Sequence, residues 1–471
     1  SNFTFSPDSR FLYGSTYYTG VSNIFRFEVG REGCEAMTNT DCGFFRPIPL
    51  GNDELIVFRY TGKGFVPARI ETEPLQDIKE ITYFGKQIIQ KHPELEDWNV
   101  GSPADVPLDS LVTERREYQS FKTIGLESVY PVVEGYKDFG ALGVRVNLSD
   151  PISLNRFNFT TSYTPDSDLP SDERLHFTAR FDRYNWKAGL RYNGADFYDL
   201  FGPTKTSRKG WALTGEHNKT LIYDNPRTLE LAVFAGAYYD IDQLPRYQNI
   251  DVVVDELYEL GAELSYENKR ASLGAVDHEK GIGMSLFGGA ELVEGDVIPK
   301  MLGTLDFGFE LPLKNSSIWL RSSAGFAVGD LDDPFANFFF GAFGNNYVDH
   351  LAVKRYRKFY AFPGLDLQDI GGRNFAKSLL EWNLPPFRFR RVGTPAFYVT
   401  YARASLFAAG IGTNFGEDSD VRSQVADVGV QIDFRMTLLS RLKLTLSLGY
   451  AQAFENAGDS KDEFMFSLKI L

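Results

Sequence analysis

The segment "RLKLTLSLGYAQ", residues 441–452, alternates between large apolar and small or polar side chains. A period of two places successive side chains on opposite faces of a β-strand. The segment "VGVQIDFRM", residues 428–436, follows the same rule, with Gly, Gln, Asp and Arg on its second face. Residues 305–311 and 174–181 repeat it, so one pattern covers most of the chain from about residue 139 onward.

The alternating runs are about nine to twelve residues long. Strands of soluble β-sandwiches usually run roughly five or six residues, whereas a tilted strand needs roughly 9–11 residues to cross a bilayer. A sandwich also alternates, but it would have to bury apolar faces of this length throughout. Length therefore favours an all-β fold, a transmembrane antiparallel β-barrel with an apolar outer face and a polar lumen.

Counting the runs predicts sixteen strands, an even number as expected for a closed bacterial barrel, which leaves no free strand edge. The predicted strands are 139–149, 152–163, 172–183, 184–195, 207–217, 227–240, 255–267, 269–278, 281–294, 299–312, 315–328, 373–385, 396–412, 424–437, 441–454 and 462–471.

Composition excludes several function classes. The formal charge of −14 argues against a nucleic-acid partner. Five His and two Cys leave little material for a metal site, and no nucleophile elbow, zinc motif or P-loop occurs. We therefore expect no enzyme activity and no cofactor. Aromatic residues reach 15%, which fits aromatic girdles at two membrane interfaces.

One long connection, about 329–372, interrupts the strand pattern. Connections of this length inside a compact architecture are usually functional. It contains the apolar segment "FANFFFGAF" and ends in "FYAFPGLDLQDIGG". An apolar segment of this kind is expected to pack against the lumen wall or to form a short extra strand.

The last part of the chain resembles the BamA/TamA-type outer-membrane barrel family, the bacterial surface antigen superfamily. Three features carry the resemblance: the long loop before the twelfth strand, the strand "GGRNFAKSLLEWNLPP", and the closing pair "LKLTLSLGYAQAFENAGDSKDEFMFSLKI". In this family the loop folds back into the lumen. The corresponding loop motif here is Phe359, Tyr360, Ala361, Phe362, Pro363 and Gly364. The wall strand that follows it is marked by Gly371, Gly372, Asn374, Glu381 and Trp382.

The sequence departs from the family motif at its central positions. The family's Arg and Gly correspond to Tyr360 and Ala361. The Asp that this Arg reaches in the family corresponds to Ala409 or a neighbour. Losing both partners is physically coherent, because a buried Arg without its carboxylate is costly. The loop is then expected to be held by packing of Tyr360 and by Arg355, Arg357 or Lys358. The terminal Leu471 also replaces the usual aromatic residue.

The N-terminal part resembles a TolB-type β-propeller. Residues 5–29, "FSPDSRFLYGSTYYTGVSNIFRFEV", are similar to one blade, and residues 45–70 to part of another. A small β-appendage is the alternative. The predicted domains are a partial propeller over 1–70, a linker with a short helix at 78–91 over 71–130, and the barrel over 131–471. The resemblance implies that the barrel lies in the bacterial outer membrane and the N-terminal part in the periplasm.

Two cysteines, Cys34 and Cys42, lie eight residues apart in "CEAMTNTDC". In an oxidising compartment they are candidates for a disulfide worth roughly 2–3 kcal/mol; two unbridged thiols are the alternative. A basic group, Lys205, Arg208 and Lys209, offers contacts to lipid phosphates or a partner, or else forms a solvated turn.

Two function classes remain open. The first is insertion, assembly or translocation of a protein or lipid client, with the first and last barrel strands as the working seam. The second is a structural anchor for a larger complex, and a diffusion pore is a weaker third. The expected partners are outer-membrane lipid and a periplasmic or membrane protein. The seam residues predicted from the sequence are Leu142, Val144, Val146, Phe464, Phe466 and Leu468.

Overall fold

The computed structural model describes residues 2–18, 20–31, 33–40, 42–50, 54–62, 64–71, 73–75, 91–95, 108–113, 116–246, 249–455, 458 and 460–470. Two units are present, Ser1–Tyr118 and Gln119–Leu471. No helix within these ranges is long and apolar enough to cross a membrane.

The N-terminal unit contains two antiparallel sheets, and their strands share a core that includes Tyr13, Ile24 and Leu55. One sheet has four strands and the other three. A β-propeller typically has 4–8 four-stranded blades. The two sheets described here are fewer than that, so the propeller remains a prediction. The strands are β1 Thr4–Phe5, β2 Phe11–Thr16, β3 Asn23–Glu28 and β4 Glu35–Ala36, then β5 Phe44–Pro49, β6 Glu54–Thr61 and β7 Gly64–Glu71.

The predicted disulfide is not formed in this unit. Cys34 is half-buried and packs on Phe25 and Ala36, while Cys42 is exposed, and no bond joins the two sulfurs. Burial, reinforced by the neighbouring Glu35 carboxylate, raises the pKa of the Cys34 thiol to about 11. The helix predicted at 78–91 lies, except for its last residue, outside the described residues. Short helical segments occur at Pro93–Leu95, Leu108–Leu111 and Ser120–Thr123.

The second unit is dominated by one antiparallel sheet in barrel order. Sixteen long strands make up its wall in the described part of the chain. They are β8 Gly125–Tyr136, β9 Phe139–Ser149, β10 Asn155–Tyr163, β11 Leu175–Arg183, β12 Trp186–Gly194, β13 Arg208–Asp224, β14 Arg227–Gln243, β15 Asp251–Arg270, β16 Lys280–Val293, β17 Asp296–Glu310, β18 Ser317–Ala327, β22 Asn374–Asn383, β25 Phe397–Thr413, β26 Gln424–Leu438, β27 Leu442–Glu455 and β28 Ser460–Ile470.

Short elements lie between the wall strands. They are the strands β19 Phe338–Phe340, β20 Val348–Asp349, β21 Ile370–Gly372, β23 Phe387–Arg388 and β24 Gly393–Thr394, and the 3-10 turns Ser171–Glu173, Phe197–Phe201, Pro334–Ala336 and Arg355–Arg357.

One predicted strand, 269–278, is wrong, and one wall strand was not predicted. Residues 271–279 form the connection from β15 to β16, where Gly274 adopts φ +89° and breaks the alternation. The wall begins at Gly125 in β8, inside the predicted linker. A bulge between Leu126 and Ser128, followed by Pro131, hides the period of two there.

Alternation along β22 shows how the wall separates its two faces. Lys377, Leu379 and Glu381 are buried on the inner side, whereas Leu380 and Trp382 are exposed on the outer side. Large apolar side chains are exposed on the outer face all round the sheet. Examples are Leu142, Leu213, Leu260, Leu286, Leu305, Phe307, Leu320, Leu406, Val428, Phe464 and Phe466.

The lumen loop, residues 329–372, covers the inner face of one half of the wall. Its aromatic side chains pack into a core with inward residues of β22 and β25–β28, including Phe375, Phe407 and Met465. Within the loop, β19 pairs with β21 in a sheet of its own. The other half, β11–β17, borders two cavities of about 670 and 640 Å3.

Close packing inside the wall gives a stability prediction. A Cβ on Gly308 would lie 2.3 Å from the indole of Trp319, which is fully buried and donates to the His278 carbonyl. We expect Gly308→Val to lower the free energy of unfolding by about 1–3 kcal/mol, because a rigid ring has to move. Heat-modifiability on gels and thermal unfolding in detergent measure this change. Gly288→Val is the matched control, because a Cβ there meets no atom within 4 Å; equal losses in both variants would contradict the packing argument.

Candidate functional site

The centre of the lumen loop is held by one carboxylate of the wall, that of Glu381 on β22. Glu381 is fully buried. Arg357 donates to both of its oxygens, from Nε to Oε2 at 2.9 Å and from Nη2 to Oε1 at 2.6 Å. The Tyr356 hydroxyl donates to Oε1 at 2.9 Å. Arg321 of β18 donates from Nε to Oε2 at 2.9 Å. The segment "KRYRK", residues 354–358, therefore docks on this group.

Lys354 completes the shell around Glu381. Its Nζ lies 3.3 Å from the Glu381 carboxylate and donates to Asn383 Oδ1 and Ser405 Oγ, each at 2.6 Å. Burial, together with repulsion from Arg357, lowers the pKa of Lys354 to about 8. The ammonium group is thus enclosed by polar atoms of β22 and β25.

A second carboxylate, Asp277, reaches the same cations from the β15–β16 connection. Arg357 Nη2 donates to Asp277 Oδ2 at 2.8 Å, and Lys354 and Arg403 each lie 3.6 Å from it. Burial alone would raise the pKa of Asp277, but the three cations hold it well below its usual range. Arg403 continues the network to Asp433 of β26 at 2.8 Å.

The tip of the loop is held through its backbone by two charged wall residues. Lys377 of β22 donates to the carbonyls of Lys358 at 2.9 Å and of Ala361 at shorter range. Glu463 of β28 accepts the N–H groups of Phe343 at 3.0 Å and Gly364 at 3.1 Å. These bonds satisfy loop backbone groups that would otherwise be buried without partners.

Aromatic stacking fixes the loop between these polar anchors. Tyr356 stacks on Phe407 of β25 with ring centroids 4.4 Å apart, and Phe343 meets the same ring edge-on at 6.0 Å. Phe340 packs on Phe375 of β22 at 4.7 Å. The plug is therefore a packed core with a polar centre.

The predicted motif residues divide into two groups. Ala361, Phe362, Pro363 and Gly364 are buried under the loop tip, whereas Phe359 and Tyr360 are half-buried and border the second cavity. Of the candidate anchors, Arg357 binds Glu381, while Arg355 pairs inside the loop with Asp349 at 3.3 Å. Lys358 contributes its backbone carbonyl, which accepts a hydrogen bond from Lys377. Arg357, three residues before Tyr360, thus makes the carboxylate contact.

The five residues predicted to mark the wall strand lie in two different strands, β21 and β22. Glu381 faces the lumen, and Trp382 faces outward and donates to Ser316 Oγ at 3.1 Å. Asn374 starts β22, but Gly371 and Gly372 belong to β21 inside the lumen loop, which corrects their assignment to the wall. They permit close approach, since a Cβ on Gly372 would lie 2.7 Å from Thr413.

Sequence reasoning missed Lys377, Asp277, Glu463 and Asp427 as site residues. Lys377 and Glu381 were visible as charges on the inward side of an alternating strand. The N–H of Ala409 on β25 donates to Asp427 Oδ1 on the neighbouring β26 at 2.8 Å. Which residues meet across neighbouring strands follows from the strand register, and the sequence alone does not give that register.

A second feature is the seam between the first and last wall strands, β8 and β28. In the described part of the chain, no backbone hydrogen bond and no residue register joins them. Two inserted segments bridge the seam instead. On the β8 side, the backbones of Gly135 and Asp196 exchange two hydrogen bonds of 2.9 Å. On the β28 side, the Leu468 N–H donates to the Tyr347 carbonyl at 2.8 Å. The two segments are joined to each other by the Tyr347 N–H, which donates to the Phe201 carbonyl at 2.9 Å.

The seam corrects the predicted first strand. Leu142, Val144 and Val146 lie on β9, which is paired on both sides, so the edge strand is β8. Residues 125–133 of β8 are exposed or half-buried, and Pro131 among them is typical of an edge strand. On β28, Phe464 and Phe466 are exposed to the outside and Leu468 is half-buried beside Tyr347.

Comparisons with known proteins give no family. No family model matches the sequence, and no curated protein matches it either. The structure of CdiB from Acinetobacter baumannii matches with 11% identity and a TM-score of 0.38, covering 74% of this chain and 59% of its own. Wzi, an outer-membrane carbohydrate-binding β-barrel of Escherichia coli involved in group 1 capsule assembly, matches with 10% identity and a TM-score of 0.25, covering 72% and 82%. This chain thus spans less than two thirds of CdiB. At these TM-scores the two matches carry no argument about this chain.

The docking network predicts the effect of losing its central charge. Glu381→Gln leaves Arg321, Lys354 and Arg357 clustered without their shared carboxylate. We expect a loss of about 3–5 kcal/mol in unfolding free energy and faster tryptic cleavage within residues 354–358. Thermal unfolding and mass spectrometry of the digest measure both. Glu310→Gln, which removes an exposed pair with Lys280 at 2.9 Å, should change little; similar behaviour of the two variants would show that the network does not hold the loop.

Proposed function

We propose that this chain is a transmembrane β-barrel of the bacterial outer membrane that handles a protein client at the β8–β28 seam. The apolar outer faces of the wall support the membrane assignment, because exposed apolar surface this extensive calls for lipid. Following the resemblance stated from the sequence, the N-terminal unit is assigned to the periplasm. The expected partners are outer-membrane lipid and a protein client, with no nucleic acid and no enzymatic reaction.

The observation that carries the proposal is the pair of strand edges at the seam. Each exposed edge presents backbone N–H and C=O groups that can pair with another strand. A client strand that adds to β8 or β28 gains main-chain hydrogen bonds without side-chain specificity. For this the bridging segments, Asp196–Phe201 and Tyr347–Asp349, have to leave the seam.

The lumen loop supplies the second requirement, a seal. It fills the half of the lumen next to β22 and β25–β28. One bridging segment, Tyr347–Asp349, belongs to this loop, and Asp349 pairs with Arg355 at 3.3 Å. Opening the seam therefore requires this segment to move, while the contacts of Glu381 hold residues 354–358 on the wall. BamA/TamA-type insertion or translocation is the specific form of this function that we propose.

A structural anchor is the second candidate, and the density of the loop network favours it. A plug held by Glu381, Asp277, Lys377 and Glu463 is suited to a static barrel. The two cavities beside β11–β17 are the basis of the weaker pore alternative. The three functions differ in whether the seam has to open.

Cross-linking the seam tests the proposal. In a chain with Cys34→Ser and Cys42→Ser, cysteines replace Val129 or Val133 on β8 and Phe464 or Phe466 on β28, and bismaleimide linkers of graded length join them. Protein in liposomes is offered a urea-unfolded eight-stranded outer-membrane barrel as the client. We expect at least tenfold slower insertion after linking, because a fixed seam cannot accept a strand. Protease protection of the client measures insertion.

The control lock joins Val144→Cys and Thr161→Cys, which are paired neighbours on β9 and β10. Insertion should proceed normally with this lock. Insertion no faster than in empty liposomes, with or without any lock, would overturn the proposal in favour of the anchor. Steady ion conductance of the unlinked protein in planar bilayers would favour the pore.

A further inference from the structure

The larger of the two lumen cavities, about 670 Å3, has an unusual charge arrangement. Six cationic side chains and four carboxylates line it. Several are neutralised locally: Lys187 pairs with Glu216 at 2.9 Å, and Lys209 with Asp240 at 3.3 Å. Arg246 pairs with Glu259. Local pairing therefore accounts for three of the six cations.

The side chains of Arg180 and Arg191 have no ion-pair partner of this kind in the described part of the chain. Neither guanidinium group forms an ion pair or a hydrogen bond with any residue in the described ranges. Arg180 faces Gly189 across the β11–β12 pair, two residues from Arg191, so the two side chains are diagonal neighbours whose Cα atoms lie roughly 7–8 Å apart. They are close enough to repel each other. Like charges at such positions destabilise a sheet.

Asp182, two residues from Arg180, lines the same cavity, but in the described part of the chain no ion pair joins the two side chains. Glu134 of β8 is within electrostatic range of Arg180, but it accepts from Ser162 at 2.7 Å and lies 3.5 Å from Arg145. Asp196 and Asp199 are within range of Arg191. Asp196 accepts the Tyr198 N–H at 2.9 Å, and Asp199 accepts the N–H groups of Thr206 and Ser207. A chain of net charge −14 thus keeps two adjacent cations open to its lumen.

Further positive charge lies beside this pair. Arg208, in the same cavity, donates to the carbonyls of Lys205 at 2.9 Å and Leu244 at 3.1 Å, which hold its position. Arg246 spans the rings of Phe234 and Phe287, 4.3 and 5.2 Å from their centroids. These fixed guanidinium groups leave Arg180 and Arg191 as the ones able to receive a ligand.

We propose that this cavity binds a phosphate group through the guanidinium groups of Arg180 and Arg191. A guanidinium fork matches the spacing of two phosphate oxygens. A phosphate group carries almost two negative charges and three acceptor oxygens, enough to serve both arginines at once. The ligand is a soluble phosphate ester or a phosphorylated lipid head group. The site is independent of the seam and of its proposed client.

Calorimetric titration of the full chain in detergent tests this site. The probes are inorganic pyrophosphate and, separately, mixed micelles of detergent with phosphatidic acid. We expect binding by at least one probe, weakened at least tenfold by the double variant Arg180→Gln/Arg191→Gln. Arg191→Lys should weaken it less, since it keeps the charge and loses the fork. Binding of pyrophosphate indicates a soluble ligand, and binding of phosphatidic acid alone indicates a lipid head group.

Two controls separate recognition from folding. Arg183→Gln removes a cation from the same strand that lies over Phe121 at 4.6 Å, outside the cavity, and should bind like the parent. The double variant should keep or raise the thermal midpoint, because it removes a repulsion. Failure of both probes to bind, or equal binding by the parent and a folded double variant, would overturn the proposal.

Discussion

The buried Glu381 carboxylate is the interaction on which the interior of this protein depends. An isolated carboxylate in such a place would be costly. Here four donor side chains surround it, three of them cationic, and two of those cations come from the lumen loop. The wall needs the loop to neutralise Glu381, and the loop needs Glu381 to bury Lys354 and Arg357.

This mutual dependence makes the lumen asymmetric. The half lined by β22 and β25–β28 is dry, packed with aromatic rings and closed. The half lined by β11–β17 keeps two cavities with charged walls. Charges in the packed half are held by opposite charges or by backbone groups, whereas two neighbouring arginine side chains beside the cavities have no ion-pair partner in the described part of the chain. The seam lies at one boundary between the halves, where inserted segments replace direct pairing of β8 with β28.

Much of the wall followed from period-two alternation, because a strand with one apolar face repeats every two residues wherever it lies. That rule failed at two places for local reasons. Gly274 turns the chain inside a run that still looks alternating, and the bulge near Leu126 with Pro131 conceals a real strand. The loop's position in the lumen was expected, and Arg357 was one of the three cations expected to hold it. What the sequence did not predict was its partner, the buried Glu381 carboxylate.

By itself the sequence determined the class of fold: long alternating strands, a polar inner face, an apolar outer face and a long apolar loop to fill the interior. These are properties of single strands, and composition along the chain is enough to state them. The tertiary structure alone decided which charges meet. Arg321 and Glu381 meet because the register of β18 and β22 places them on neighbouring inward positions. Asp277 and Arg357 join them from a connection and from the lumen loop. The missing direct pairing of β8 with β28 is equally a tertiary fact, since an edge strand and a paired strand carry the same alternation.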